Sequence, residues 1–595
     1  MRVGPSGDCA TGPTSHGFSQ STVDDDIAAT RPLPALTLAL IESAQRETCD
    51  VFFVRCAQLG PGISALTHLD SLRATVGLTP GWQRLLIPSV LEMSYSTPLP
   101  IELIDEIISC VGETTTDVRF DIEVLTDASR RNLLSCALSC STFFRPAMRN
   151  LWRTSELLWL LRLLPALEVV DGSYVITDQL DNVSLKRFDV YSAMVKRLVL
   201  PGPSTNTPPP VHKSVYTSLA LIRPRPLPSL THVYCSAHTS LSNETFLIIS
   251  PLLESVVLSY CGSQDTMAYL TRIREEAPFM HSLTIGQTLG EFDFAYVSQL
   301  RNLQVFDLYL FLTAIETQPL QYPRSLKQLH LRGALYAAKD VFTVLRMYRD
   351  SGVESFSLQG ALSGEDFRTI FSTVSSQWPL TMTTLSLQLN IVELVREKEG
   401  LLDVIRPLFS LGNIQNFTGS FYCPGGDIYI TDAFIGDICQ AWPRLVKLEL
   451  SARRHEYFPT VASLTLLSEA CPKLEILTIP FDTLHIPSMQ CDEHRDALLS
   501  SKSSHKLESI TLLGKYDFQD EVAAADEDEV NVNVLNEVIA NASTTSLAYH
   551  LDIAFPYLKE ARIFNSDGTG KEQERKVMDV IGVCQGARRE EGISL

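Results

Sequence analysis

Apolar residues recur through most of this chain in a six-residue pattern, in which the first, fourth and sixth positions are apolar and the others are mostly polar. In an extended segment the fourth and sixth side chains point to the same face. One such segment cannot bury its apolar face, whereas stacked neighbours bury it continuously. Thirteen matches occur in order, most starting 23–35 residues apart, at 195–200, 230–235, 253–258, 280–285, 303–308, 326–331, 353–358, 382–387, 414–419, 445–450, 474–479, 507–512 and 558–563.

Helical spacing fills several intervals between these segments, at 339–350, 364–377, 401–410 and 432–442. Proline often stands just before the next segment, where it ends a preceding helix. Strand, turn and helix therefore alternate, which predicts an α/β array. The array resembles leucine-rich repeats, and this implies a solenoid with parallel strands on its concave face. Only Cys261 and Asn390 occupy the position where regular repeats carry Asn or Cys, so an irregular array is expected.

A different pattern precedes the array, in the sequence STPLPIELIDEIISCV at 96–111. Pro100 suits a helix start, because its fixed φ is helical and its missing N–H costs nothing there. Helical spacing then places apolar residues in two stripes, one of Ile101, Ile104, Ile108 and Val111 and one of Leu103 and Ile107. One stripe can pack inside its own domain, whereas the other needs a partner. Two more short helices are predicted within 131–154, and such a small helical unit is marginal alone.

The residues LPIELIDEII and LLSCALSCSTFFRPAMRNLW, within 97–153, resemble an F-box, the helical module that joins a substrate receptor to the Skp-type adaptor of cullin–RING ubiquitin ligases. The polar insert at 112–130, Ser139 and Ser141 depart from the usual pattern of the module. The alternative is that these helices only fill a private three-helix core. The resemblance implies that the adaptor is contacted by Leu99, Pro100, Ile104, Ile108, Leu134, Cys140 and Trp152.

Composition adds limits to this picture. The 595 residues carry a formal charge of −20, which argues against a general nucleic-acid binder. The 13 cysteines lack metal-ligand spacing, so free thiols in a reducing compartment are expected and a zinc site is not. The polar N-terminus has no signal-peptide core, and the most apolar stretch, at 156–170, is too short to span a bilayer. We therefore expect an intracellular protein of the cytoplasm or nucleus.

These patterns divide the chain into regions of different character. The region before the helical module is polar at first and matches neither pattern, and an acidic run interrupts the last repeats. The expected parts are a partly disordered extension (1–92), an F-box-like domain (93–155), a helical linker or cap (156–190), the solenoid (191–565) with an acidic loop (519–530), and a mobile tail (566–595).

No motif for catalysis is present. The sequence contains no Gly-rich phosphate loop, no nucleophile elbow and no His-Glu-x-x-His helix. Cys140 falls in a stretch predicted to be an apolar helix, an environment that does not activate a thiol as a nucleophile. We expect no enzyme activity, no cofactor and no metal ion.

Two functions of different classes fit these features. The first is a substrate receptor, in which the helical unit docks on the adaptor and the solenoid holds a target protein. The second is a repeat scaffold without a ligase, in which the helical unit is the N-terminal cap that solenoids need. For each target-facing candidate, the alternative to a binding role is a solvated residue on the strand surface that contacts no target. These candidates are Glu254, Lys327, His330, Glu354, Lys447, Glu449 and Glu475.

Overall fold

The computed structural model describes most of the chain from residue 100 to residue 590. Gaps lie at 113, 118–121, 201–208, 237–246, 287–294, 311–323, 334–337, 393–399, 424–427, 454–456, 483–484, 490–504, 514–543 and 565–569. The N-terminal extension (1–92), Leu99 and the acidic loop (519–530) lie outside the described residues, so the predictions for them stay predictions.

Three helices form the N-terminal unit, as the spacing of apolar residues predicts. They are α1 (Ile101–Val111), α2 (Asp127–Ser139) and α3 (Ser141–Arg153). The polar insert between the first two helices contains an antiparallel hairpin, made of β1 (Thr114–Asp117) and β2 (Ile122–Leu125). The insert therefore adds a small sheet of its own to the helical unit.

Two prolines shape these helices in different ways. The carbonyl of Pro100 accepts the N–H groups of Leu103 at 3.1 Å and Ile104 at 3.2 Å, so the first turn of α1 forms directly behind the proline. Pro146 lies inside α3, five residues after its start. Proline has no N–H to donate, so α3 gives up one helical hydrogen bond at this position.

The segment after α3 departs from the helical linker expected at 156–190. It contains β3 (Thr154–Glu156), α4 (Leu157–Leu161), the antiparallel hairpin of β4 (Leu167–Val170) and β5 (Ser173–Ile176), and α5 (Lys186–Ser192). Asp171 and Gly172 at the hairpin tip have positive φ angles of 51° and 74°. An Asp-Gly pair adopts these angles readily in a two-residue turn, which explains the hairpin.

Within the described residues, fourteen parallel strands form one sheet, in which β3 pairs with β6 (Arg197–Leu200) and each later strand pairs with the next one along the chain. All thirteen predicted strands are present, each beginning at the third residue of its segment. After β3, they are β6 (Arg197–Leu200), β7 (His232–Ser236), β8 (Ser255–Ser259), β9 (Ser282–Ile285), β10 (Val305–Tyr309), β11 (Gln328–Arg332), β12 (Ser355–Leu362), β13 (Thr384–Ile391), β14 (Asn416–Tyr422), β15 (Lys447–Arg453), β16 (Ile476–Pro480), β17 (Ser509–Leu513) and β18 (Glu560–Phe564).

Helices connect many of these strands, and the four predicted helical stretches are confirmed. Residues 544–554 are also helical, and Arg406–Ser410 form a 3₁₀ helix at the proline within the third predicted stretch. The helices of the array are α6 (Lys213–Ile222), α7 (Ser263–Glu276), α8 (Ala295–Ser298), α9 (Ala338–Met347), α10 (Gly364–Gln377), α11 (Leu401–Ile405), α12 (Asp432–Ala441), α13 (Val461–Ala470) and α14 (Gly570–Glu590). The chain is therefore an α/β solenoid of the leucine-rich-repeat type behind a small helical unit.

The core lies between the sheet and these helices. The fourth and sixth residues of the segments point into it, as Leu329 and Leu331 on β11 show, and both are fully buried. Trp378 and Trp442, at the ends of α10 and α12, are among the largest buried side chains. The residues between the core positions therefore form a second, outer face of the sheet.

A ladder of side-chain hydrogen bonds links successive repeats at the turns that precede the strands. In each case a polar side chain donates to a backbone carbonyl of the turn one repeat earlier. The pairs include Asn302 to Pro278 (2.8 Å), Ser325 to Arg301 (2.9 Å), Thr381 to Val353 (2.8 Å) and Asn413 to Leu380 (3.0 Å). These bonds hold neighbouring repeats together in an array with few of the usual Asn and Cys residues.

The C-terminal segment differs from the mobile tail expected at 566–595, because most of it is the helix α14. Val577 and Ile581 of this helix are fully buried, and the Gln585 amide donates to the carbonyls of Pro556 (3.3 Å) and Leu558 (3.1 Å). The helix therefore covers the last repeat. Within the described residues, no helix combines the length and the apolar character that a bilayer crossing requires.

Candidate protein-interaction surfaces

Ile104 and Ile108 of α1 were predicted to face the adaptor, and the structure corrects this prediction. Their side chains are only 2% and 1% exposed, so they belong to the buried core, as do Leu133 of α2 and Ala147 of α3. The two isoleucines stand four residues apart and therefore lie on one helix face. Ile104 and Ile108 are therefore the part of their stripe that packs inside the chain.

The apolar excess of α1 nevertheless exists, on other residues. Ile101 is 50% exposed and Leu103, in the second stripe, is 41% exposed. On α2, Leu134 is 42% exposed, in agreement with an outward position, and Pro100 is also exposed. We define Ile101, Leu103 and Leu134 as the exposed apolar set of the helical unit.

The remaining adaptor candidates have different surroundings. Trp152 is half-buried, and its ring stacks on Tyr191 of α5 with centroids 4.8 Å apart, so this ring face is occupied within the chain. Its indole nitrogen is buried and has no hydrogen-bond partner among the described residues. Cys140 is half-buried, and its sulfur accepts the N–H of Thr142 at 3.4 Å.

The helical unit continues into the sheet without a flexible connection. Helix α3 ends at Arg153 and β3 begins at the next residue. The Arg153 carbonyl accepts the Lys196 N–H at 3.0 Å, and β3 pairs in parallel with β6. The last helix of the unit therefore leads directly into the first repeat.

On the outer face of the central strands, β12 to β14, a set of residues that alternate with the core positions carries hydroxyl and amide groups and no charge. These are Ser355, Ser357, Gln359, Thr384, Ser386, Gln388, Asn390, Asn416, Thr418 and Ser420. We call this surface the uncharged strip.

Four of the seven predicted target-facing residues lie just before a strand, on the amino edge of the sheet, and not on its outer face. Glu254, Lys327, Glu354 and Glu475 all occupy this exposed position. Their backbone N–H groups continue the hydrogen bonding of the sheet, as in Glu354 to the Lys327 carbonyl at 2.7 Å. The side chains of this pair also form an ion pair at 3.4 Å.

The other three predicted residues lie on the outer face. Lys447 and Glu449 form an ion pair with each other at 2.9 Å, and Thr418 donates to the Glu449 carboxylate at 3.1 Å. His330 lies on β11 next to Asp307 of β10 in the strand register. The predicted residues are therefore spread along the sheet and do not converge on one point, and two pairs of them form ion pairs with each other.

Asp307 is a functional candidate that the sequence analysis missed. Its carboxylate forms an ion pair with the Arg332 guanidinium, with Oδ2 and Nη2 2.7 Å apart, and the aspartate side chain is 12% exposed and the arginine side chain 50% exposed. Burial raises the pKa of Asp307 to about 6, and the Arg332 charge opposes this only in part. Burial has the larger effect on this pKa because water screens the charge of the half-exposed guanidinium.

Burial, together with the Arg332 charge, lowers the pKa of His330. The imidazole is therefore neutral near pH 7. The sequence signals this cluster only weakly. Asp307 is an acidic residue between the core positions Phe306 and Leu308. One repeat later, the basic residue Arg332 follows Leu331.

Within the described residues, no three His, Cys, Asp or Glu side chains group in a way that could hold a metal ion. A cleft of about 660 Å³ lies between neighbouring repeats. It is lined by Arg274, Ala277, Pro278, Met280, Ser298, Gln299, Leu300, Arg301 and Asn302. This lining offers no carboxylate, thiol or imidazole to act as an acid, base or nucleophile.

Comparison with known proteins gives only distant similarities. No family model and no curated protein matches the chain. Among solved structures, the complex of Rad7 and Elc1 from yeast is similar, at 12% identity and a TM-score of 0.32, over 85% of this chain and 94% of that one. A leucine-rich-repeat protein of Leptospira interrogans is 14% identical with a TM-score of 0.25, over 60% of this chain and 93% of that one. At such low similarity, the case for the fold rests on the strand register of the chain itself.

Proposed function

We propose that this chain is the substrate-recognition subunit of an SCF-type cullin–RING ubiquitin ligase. Its helical unit would dock on a Skp-type adaptor, and the outer face of its sheet would bind the target protein. The observation that carries this proposal is the exposed apolar set, Ile101, Leu103 and Leu134, on a helical unit that resembles an F-box in sequence.

The structure suggests how such a subunit would act. Because α3 leads directly into β3, an adaptor on the helices and a target on the sheet would be held by one continuous chain. The contribution to ubiquitin transfer is proximity, since a held target is present at a high effective concentration near the transfer machinery. This role needs no catalytic residue, cofactor or metal ion in the chain, and it places the protein inside the cell.

The exposed apolar set supplies part of the docking energy. Full burial of a leucine side chain contributes about 1.5–3 kcal/mol, so covering the exposed two-fifths of Leu103 and of Leu134 would contribute roughly 1 kcal/mol each. An aspartate at either position would oppose docking more strongly, because a charge would then lose its water. The adaptor-facing residues proposed after this correction are Ile101, Leu103, Leu134 and Pro100.

Co-purification with a Skp-type adaptor tests this proposal. The wild type should retain the adaptor, and the double variant Leu103→Asp/Leu134→Asp should lose it. A matched control changes Leu221 and Leu380 to Asp, because both are 80% exposed and belong to the repeats. The control should keep the adaptor. A wild-type chain that binds no adaptor, or a control that loses it equally, would refute the docking role.

A scaffold without a ligase is the second candidate function, and one observation favours it. Ile104 and Ile108 are buried and Trp152 stacks on Tyr191, so much of the helical unit already packs as an N-terminal cap. Limited proteolysis separates the two functions. A pure cap resists cleavage between 100 and 153 with or without the adaptor, whereas an adaptor-binding unit becomes more resistant when the adaptor is added.

A further inference from the structure

The outer face of the sheet holds one charged site that differs from the other ion pairs on it. At Lys447–Glu449 and at Glu560–Arg562, both partners are at least 30% exposed. At Asp307–Arg332 the carboxylate is almost enclosed while the guanidinium stands half in solvent. A carboxylate is thus buried behind an arginine that points outward.

Asp307 is an unfavourable residue for stability alone. Burial raises the pKa of its carboxyl, which means that the ionised form is penalised in the folded chain. A serine or threonine occupies the equivalent outer position on several neighbouring strands, such as Thr284 on β9 and Ser357 on β12. A buried, charged side chain on an outer face is therefore best explained by what it does to Arg332.

Arg332 is held at one point and keeps donors for a ligand. The bond to Asp307 uses the nitrogen Nη2, and among the described residues the side chain makes no other hydrogen bond or ion pair. A guanidinium has five N–H donors in a planar fork and binds a carboxylate through two parallel hydrogen bonds. The pairing with Asp307 fixes the orientation of that fork before a ligand arrives.

Among the described residues, the row that leads from Arg332 across β12, β13 and β14 carries no charged side chain. In the strand register, Arg332 lies next to Gln359, which is followed by Gln388 and Ser420 on the uncharged strip. These three strand steps span about 14 Å, the length of about four residues of an extended peptide. A ligand that lies along this row meets one cation and then hydroxyl and amide groups.

The charge of the whole chain restricts the ligand further. With a net charge of −20, the chain repels a long acidic segment. A single carboxylate is sensitive mainly to charges within about 8 Å at physiological salt, which is the Debye length. The local field at Arg332 therefore suits one carboxylate in an otherwise uncharged stretch.

We propose that Arg332 anchors one carboxylate of the target, an Asp or Glu side chain within an extended and otherwise uncharged segment, and that Asp307 is the positioning residue for the guanidinium. A side chain fits better than a chain terminus, because the outer face continues beyond Arg332 to Tyr309, its neighbour on β10, which is 36% exposed, so the target chain can run on in both directions. This inference rests on the proposed function only in taking the sheet face as the target-binding surface.

Selection from a display library of random dodecapeptides, fused at their C-termini so that no free terminal carboxylate is present, tests the inference. The wild type should enrich peptides with one Asp or Glu among uncharged residues, and Arg332→Gln should lose this enrichment. The matched control is Arg562→Gln, which removes an arginine of similar exposure on the same face whose acidic partner is exposed. The control should select the same peptides as the wild type.

The selected peptides then allow a quantitative test by fluorescence anisotropy. Replacing the acidic residue by its amide should weaken binding to the wild type about tenfold, the effect of losing one charge-assisted pair. Asp307→Asn should weaken binding of the acidic peptide and leave binding of the amide peptide unchanged. A purely structural role for Asp307 would affect the two peptides equally.

Several results would overturn the inference. These are a wild type that enriches no peptides, enrichment of long acidic runs, equal selection by Arg332→Gln, and loss of selection by the control. Adaptor binding is measured on the same proteins, and Arg332→Gln should retain it. If no variant binds the adaptor while the peptide results hold, then the ligase proposal fails and the carboxylate anchor remains.

Discussion

Replacing Asp307 by asparagine should stabilise the protein at neutral pH, although the change removes an ion pair of 2.7 Å. The reason is the raised pKa of the buried carboxyl, about 6 in the folded chain compared with 3.8 as its ordinary value. The folded state thus holds this proton more tightly than the unfolded state. Below pH 3.8 the carboxyl is neutral in both states and adds no penalty, and the penalty grows as the pH rises through 6.

The size of the effect follows from the same two values. A difference of about two pH units corresponds to roughly 3 kcal/mol above pH 7, at 1.36 kcal/mol per unit. Asparagine resembles the neutral acid in shape and escapes this penalty, but it holds Arg332 less firmly. The pKa of about 6 already includes the attraction between the Asp307 carboxylate and Arg332, so the expected gain at pH 7.5 is the whole difference, roughly 3 kcal/mol.

Hydrogen–deuterium exchange of β10 and β11 measures this gain locally, which suits a repeat array whose unfolding need not be all-or-none. Exchange in the variant should be about a hundredfold slower at pH 7.5, the equivalent of about two pKa units or roughly 3 kcal/mol. The two proteins should become similar as the pH falls towards 4. Glu449→Gln, which alters an ion-paired carboxylate that is 32% exposed, is the control and should not slow exchange. Faster exchange in Asp307→Asn at pH 7.5 would refute the reasoning, because the ion pair would then outweigh burial.

Three further changes test the packing of the array. Gly419→Ala should destabilise the protein by about 1–3 kcal/mol in urea unfolding, because the new Cβ would lie 2.6 Å from the ring of the buried Phe421; an unchanged midpoint would contradict this. Asn302→Ala removes the bond to the Pro278 carbonyl and should speed exchange in β10 by about fivefold, or roughly 1 kcal/mol, while leaving β16 unchanged. Val577→Asp places a charge at a fully buried site of α14 and should make the last repeat sensitive to protease, whereas equal resistance would show that α14 does not hold it.

The sequence predicts the repeats well, because their signal is local and recurs many times. Alternating apolar positions are needed wherever a strand packs on a core, so each strand carries its own evidence. The one strand of the main sheet that escaped prediction, β3, has Ser155 where the pattern requires an apolar residue. The hairpin of β4 and β5 was also missed, although the Asp171-Gly172 pair at its tip is a recognised turn signal.

The surfaces were predicted less well, because exposure depends on what packs against a helix. Periodicity gave two apolar stripes on α1 but could not tell which stripe faces inward. The resemblance to an F-box placed Ile104 and Ile108 on the adaptor side, whereas the structure buries both of them and exposes Leu103. Asp307 and Arg332 lie 25 positions apart in sequence, and only the register of β10 and β11 brings them together.

The docking of the helical unit is the central claim of this account, and hydrogen–deuterium exchange with and without a Skp-type adaptor tests it most directly. The account predicts slower exchange in α1 and α2 on addition of the adaptor, with no change in β12 to β14. Unchanged exchange throughout residues 100–153, at adaptor concentrations high enough to saturate a known receptor, would contradict it.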